Sequence, residues 1–153
     1  MLTITPEDPT SAVARQLIDD LSATLAAITG DSGRSSFDPN DVRVSNALFV
    51  VARNEAGEAV GCGAFRPLQA DTAEIKRMYS RPGTQGVGSA ILAFLETAAA
   101  DLGYKVLWLE TRLINEQAVR FYEKRGYVRI PNFGKYAGNP RAVCFEKRLT
   151  DNR

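Results

Sequence analysis

A mixed α/β layer is the fold class this sequence predicts, on three observations. Helix-spaced apolar stretches alternate along the chain with short strand-like runs. The run KVLWLET at 105–111 is apolar on both faces, as a strand inside a sheet must be. Between it and the strand-like TAEIKRMYS at 72–80 stands a helix, and such a crossover makes its two strands parallel.

Taken in order, Asp8-Pro9 predicts a helix start, with Asp as N-cap and Pro at the first helical position. Val13, Leu17, Leu21, Leu25 and Ile28 recur near helical spacing, and Gly30 supplies a stop. DSGRSSFDPN at 31–40 is loop chemistry, too short for an interdomain linker. ALFVVARN and EAVGCGAFRPL read as strands joined by a hairpin turn at Glu55-Ala56-Gly57. TAEIKRMYS follows and ends at Arg81-Pro82. Simple alternation puts Glu74, Lys76 and Met78 on one face and Ile75, Arg77 and Tyr79 on the other, unless a bulge resets the phase. A helix over 87–102 turns Val87, Ile91, Leu95, Ala98 and Leu102 to one side and stops at Gly103. A shorter helix, NEQAVRFYEKR, stops at Gly126, and YVRI and RAVCFEKRL close the chain as strands around PNFGKYAGNP.

Composition narrows the function. With 153 residues, 44% of them hydrophobic, the chain suits a single domain over 1–153. A net charge of +1 gives no field that would draw it to nucleic acid or an anionic membrane. No apolar run approaches the roughly 20 residues of a membrane span. MLTITPEDPTS lacks the pattern of a secretory signal, so a cytoplasmic location is expected. Cys62 and Cys144 stand far apart and read as small buried thiols, without the companions of a metal site. Histidine is absent, which excludes serine–histidine hydrolysis. Any general acid or base is then Glu, Asp, Tyr, Lys, Cys or a backbone-held water.

SRPGTQGVGSA, at 80–90, places glycines 83, 86 and 88 between a strand and a helix start. The first amides of a helix lack internal partners and sit at the positive end of its dipole. With no side chains at Gly86 and Gly88, an anion can reach the amides of Gln85, Gly86, Val87, Gly88 and Ser89. The spacing is neither the dinucleotide GxGxxG nor a P-loop, and a plain turn is the alternative for the loop alone.

Taken together, AEIKRMYSRPGTQGVGSAIL, LWLET and NEQAVRFYEKRGY resemble the GNAT N-acetyltransferase superfamily, whose members bind acetyl-coenzyme A. That resemblance implies a mostly antiparallel mixed sheet with a central, splayed parallel strand pair and flanking helices. Acetyl-CoA would lie between the two strands as co-substrate, with no metal. Its diphosphate would rest on residues 85–89, and its pantetheine arm on the backbone of Met78, Tyr79 and Ser80. Gly83 departs from the family, which has Arg or Gln there; Arg81 and Gln85 are the available replacements. Asn115 matches a residue touching the pantetheine arm, or serves as an ordinary N-cap. Tyr122 matches the tyrosine that protonates the departing thiolate, with a packed core aromatic as the alternative. Glu74 matches the strand position of a general base and ranks ahead of Glu110, whose place at the end of LWLET also faces the cleft. The plainer reading of Glu74 is an exposed carboxylate paired with Lys76 or Arg77.

Arg34, Arg77, Glu110, Arg112 and Tyr136 are the candidates around the acceptor amine. Arginines there suit a carboxylate-bearing acceptor such as an amino acid, although solvated surface arginine is commoner. The implied activity is acetyl transfer to the primary amine of a small molecule. A peptide or protein acetyltransferase and a silent acyl-CoA sensor are the alternatives. Family members are often homodimers, but no stretch of this sequence marks an interface.

Overall fold

The computed structural model describes residues 1–33 and 37–149. Arg34, expected near the acceptor, lies outside the described residues. The elements are β1 (Thr3–Pro6), α1 (Ala12–Thr29), β2 (Leu48–Arg53), β3 (Ala59–Gln69), β4 (Thr72–Ser80), α2 (Val87–Asp101), β5 (Val106–Arg112), α3 (Glu116–Lys124), β6 (Val128–Ile130) and β7 (Ala142–Arg148). Across the described residues they form one sheet in the order β1-β2-β3-β4-β5-β7-β6. Every neighbouring pair is antiparallel except β4–β5, which is parallel as the crossover requires.

Two apolar layers cover the sheet. Val87, Ile91, Leu92, Leu95 and Ala99 of α2 bury against Val50, Phe65, Ile75 and Leu107 on one face. Each such Leu or Ile contributes roughly 1.5–3 kcal/mol. On the other face Ala14, Leu17, Ile18 and Leu21 of α1 cover Phe49, Val51, Cys62 and Tyr79. Cys62 is buried, and burial pushes its thiol up to about 12. Cys144 is buried as well, so both cysteines are the packed thiols their isolation suggested.

The structure corrects the sequence reading at four places. Helix α1 is capped by Ser11, whose Oγ accepts the Ala14 N–H at 3.1 Å. Asp8 instead accepts the Thr10 N–H at 2.8 Å and closes the preceding turn. The buried face of α1 is rotated from the expected stripe: Ala14, Leu17, Ile18, Leu21 and Ser22 point inward, while Val13 and Ile28 are exposed. Leu102 is likewise exposed, and Leu92 and Ala99 take the inward positions on α2. Strand β1 went unread because four mostly exposed residues ending in proline carry neither alternation nor burial.

The fourth correction bears on the site. Against β3, Cys62 pairs with Tyr79 and Ala64 with Lys76, so β4 carries an extra residue between them. Arg77, at φ 55, forms this bulge. It moves Arg77 and Tyr79 onto the face of Glu74 and Lys76, toward α1. Met78 joins Ile75 on the α2 side.

Candidate active site

Strands β4 and β5 stay paired only from Thr72↔Val106 to Glu74↔Trp108. Beyond that point both continue, β4 to Ser80 and β5 to Arg112, without pairing with each other. Their facing edges therefore offer backbone donors and acceptors that must find other partners. A cleft of about 330 Å³ opens there. Met78, Tyr79, Ser80, Gly88, Asn115, Phe121 and Tyr122 line one end, and Glu74, Lys76, Arg77, Glu110, Arg112 and Tyr136 the other.

At the first end, Gly86 opens α2 in the left-handed region, at φ 73, with no side-chain cap on the helix amides. The donors of Val87, Gly88 and Ser89 are left for an anion. Gly88 has a packing reason as well: a Cβ there would stand 3.0 Å from Ser80 Oγ and 3.3 Å from the Phe121 ring. Gln85 is exposed beside this turn. Arg81 leans toward Glu58 at 3.9 Å. For Gly86→Ala no atom blocks the new methyl, but the left-handed backbone costs about 1–2 kcal/mol. A lower thermal midpoint and an approximately ten-fold weaker calorimetric affinity for coenzyme A are expected, the latter from one misdirected charge-assisted hydrogen bond. Wild-type affinity in that variant would remove the anion role of the turn.

Asn115 caps α3, its Oδ1 accepting the Ala118 N–H at 3.3 Å, and it also lines the cleft. Tyr122, about two turns further, packs its ring against Phe121, Tyr127 and Phe145. Among the described residues its hydroxyl has no hydrogen-bond partner, while the residue borders the cleft. Burial raises its pKa well above the ordinary tyrosine value, so the phenol keeps its proton.

At the second end, Glu74 is 1% exposed, not an exposed strand carboxylate. Arg66 donates through Nε to Oε1 at 2.9 Å, and its Nη2 stands 2.7 Å from the same oxygen. Oε2 accepts from the Tyr136 hydroxyl at 3.0 Å and lies 3.6 Å from Lys76 Nζ. Lys76 in turn donates to the Tyr136 oxygen at 3.1 Å, and burial lowers its pKa. Arg66 was missed in the sequence; the hairpin register, which sets Arg66 across from Glu74, was the available signal. Tyr136 arrives from the 3-10 turn Gly134–Tyr136, so the β6–β7 loop closes over the cluster.

Glu110 differs. Its pKa is raised by burial, partly offset by Arg112 and Lys76. Arg112 pairs with Oε2. The other Arg112 nitrogen reaches Asp31 at 3.6 Å, at the end of α1. Arg77 is buried, donating to Ser22 Oγ at 2.5 Å with its guanidinium 5.2 Å from the Phe37 ring. It ties β4 to α1 and the loop that follows, while still bordering the cleft.

Splayed parallel strands, an uncapped helix start and a buried tyrosine meet in one cleft, the arrangement the resemblance implied. A family model for the acetyltransferase (GNAT) family matches residues 14–127. The uncharacterized N-acetyltransferase YjgM of Escherichia coli is 31% identical over 131 residues, 78% of this chain and 76% of that protein. A Klebsiella pneumoniae structure assigned as an acyl-CoA N-acyltransferase superposes with TM-score 0.83 at 32% identity, covering 98% of this chain and 99% of the other. A GNAT acetyltransferase from Elizabethkingia anophelis with acetyl-CoA bound shares the fold at TM-score 0.70 and 20% identity, over 97% and 98% of the two chains. The chain belongs to the GNAT acetyltransferase family.

Proposed function

We propose that this protein is an acetyl-CoA-dependent N-acetyltransferase acting on the primary amine of a small molecule. The observation that carries it is the parting of β4 and β5 between an uncapped helix start and the Tyr122 phenol. The amides of Val87, Gly88 and Ser89 would hold a diphosphate, and the unpaired β4 edge near Met78 and Ser80 the arm that follows it. The thioester, when bound, supplies an activated acetyl carbonyl.

Glu110 takes one proton from the incoming ammonium, which gives nitrogen the lone pair it needs for attack. The N–C bond forms, the C–S bond breaks, and Tyr122 gives its proton to the departing sulfur. The second proton of the amine passes to the phenolate and restores Tyr122, and Glu110 releases the proton it took to solvent. Glu110 ranks above Glu74 as base because burial strengthens it and only one of its oxygens is tied to Arg112. Glu74 has both oxygens engaged, so its part is to hold Lys76 and Tyr136 under the cleft.

Helix α1 on one side and the Tyr136 loop on the other flank the acceptor end, which favours a compact amine over an extended peptide. Thiol release measured over an amine panel and a peptide panel tests this. Turnover with small amines is expected; turnover confined to peptides, or none with coenzyme bound, overturns it.

A further inference from the structure

We propose that Arg112 reads the carboxylate of a free α-amino acid with an apolar side chain, whose zwitterionic head exchanges partners with the Arg112–Glu110 pair. This rests on the acetyl-transfer reading above and names its acceptor.

The pair stands on one face of β5, two residues apart, at the acceptor end of the cleft. Of the described cations that line the cleft there, Arg112 is the most exposed. Its side chain is 24% exposed, against 6% for Lys76, and Arg77 is buried against Ser22 and Phe37. An α-amino acid carries its ammonium and carboxylate on adjacent carbons, so both ends reach neighbouring opposite charges at once. The carboxylate takes the Arg112 fork, for which a planar guanidinium is suited, and the ammonium takes Glu110. Glu110 and Arg112 each gain a new partner in the exchange, and Asp31, half exposed, is left to solvent.

A plain amine cannot make that exchange. It leaves Glu110 tied to Arg112, which holds the carboxylate's proton affinity down. Among the described residues, the groups facing Glu110 are Arg112 on its own strand, Lys76 and Glu74 on β4, and Cys144 across on β7; Asp31 lies beyond Arg112. Drawing Arg112 toward a substrate carboxylate removes part of that offset, and Glu110 becomes the stronger base as the amine arrives.

Charge agrees with this choice. Lys76, Arg77 and Arg112 line this end with Glu74, Glu110 and Asp31, and Arg66 and Lys135 stand close behind, so positive charge is in excess around the site among the described residues. The attacking form of an amino acid, neutral at nitrogen, carries one negative charge. A polyamine would instead add positive charge to a partly buried positive site. The apolar side chain has a wall as well. Leu21, Leu25 and Ile28 of α1 border the cleft at helical spacing, and Ile28, 39% exposed, belongs to neither core.

The test compares L-leucine, L-leucinamide, 3-methylbutylamine and spermidine as acceptors with acetyl-CoA, followed by thiol release. Leucine is expected to be turned over. Its amide and 3-methylbutylamine should lose about 10- to 100-fold in kcat/KM, much of it in kcat, since the base is not released. In Arg112→Gln the acid and the amide should differ by less than about three-fold, while calorimetric affinity for coenzyme A stays at the wild-type value. The wild-type comparison does not depend on any variant folding. Equal turnover of leucine and leucinamide, faster turnover of spermidine, or a preference that survives Arg112→Gln overturns the assignment while leaving acetyl transfer standing. Transfer to none of the amines, with coenzyme bound, removes both.

Discussion

Glu110→Gln is expected to lower kcat/KM by about 10²–10⁴-fold, the usual contribution of a positioned base. The amide is nearly isosteric and can still accept from Arg112, but it cannot take a proton from an ammonium. The pH profile carries the sharper signature. Burial lifts the Glu110 carboxyl above its ordinary value of 4.5, so wild-type activity should rise with pH through that raised value. The Gln variant should lose this limb. The stability sign runs the other way. A carboxyl with a raised pKa binds its proton more tightly folded than unfolded, so it favours the fold below its unfolded value. That contribution is lost as pH rises through the folded value. At neutral pH the Gln variant should therefore keep its thermal midpoint, which separates lost chemistry from lost structure. An unchanged rate and an unchanged limb would return the base to another group.

Glu74 supplies the contrast. Substituting it leaves buried Lys76 and partly exposed Arg66 beside each other without their shared carboxylate, and breaking a buried pair in this way costs about 3–5 kcal/mol. A depressed midpoint accompanies any loss of rate there. The two carboxylates are thus distinguished by which falls first, stability or turnover.

Much of this was legible in the residues. The crossover from Thr72 to Thr111 follows from chain handedness alone, and the starts of α2 and α3 and the helix stops follow from local chemistry, whereas the start of α1 was read three residues early. The positions of Gly86 at the start of α2, Asn115 as the cap of α3 and Tyr122 on α3 were legible because each depends only on its own element. What was misread depends on register. The Arg77 bulge inverts the faces of β4, and no local pattern announces it, since its φ of 55 falls on an arginine rather than a glycine. The Arg66–Glu74–Tyr136 cluster joins Glu74 to Tyr136, 62 positions further along, and to Arg66, 8 positions before it. A strand carboxylate looks alike in sequence whether exposed or locked between two cations. Glu110 takes the proposed place of the base on that difference.

Tyr122→Phe is expected to reduce kcat by roughly 10²-fold or more, with coenzyme affinity nearly unchanged. The ring would keep its contacts with Phe121, Tyr127 and Phe145, and among the described residues the hydroxyl holds no partner whose loss would loosen α3. Removing it therefore takes away a proton and little else. A phenol with a raised pKa is a weak acid, but the thiolate it serves is formed in the same water-poor cleft. Burial raises the proton affinity of both, and transfer depends on their difference. The raised value also keeps Tyr122 protonated throughout the working range, so it should impose no falling limb below the ordinary tyrosine value of 10. Acyl acceptance from a thioester whose leaving thiol is more acidic needs less help from a proton donor. Against such a substrate the Phe variant should recover much of its rate, whereas damage to packing would persist with either leaving group. A rate deficit that ignores the acidity of the departing thiol would assign Tyr122 to the core alone.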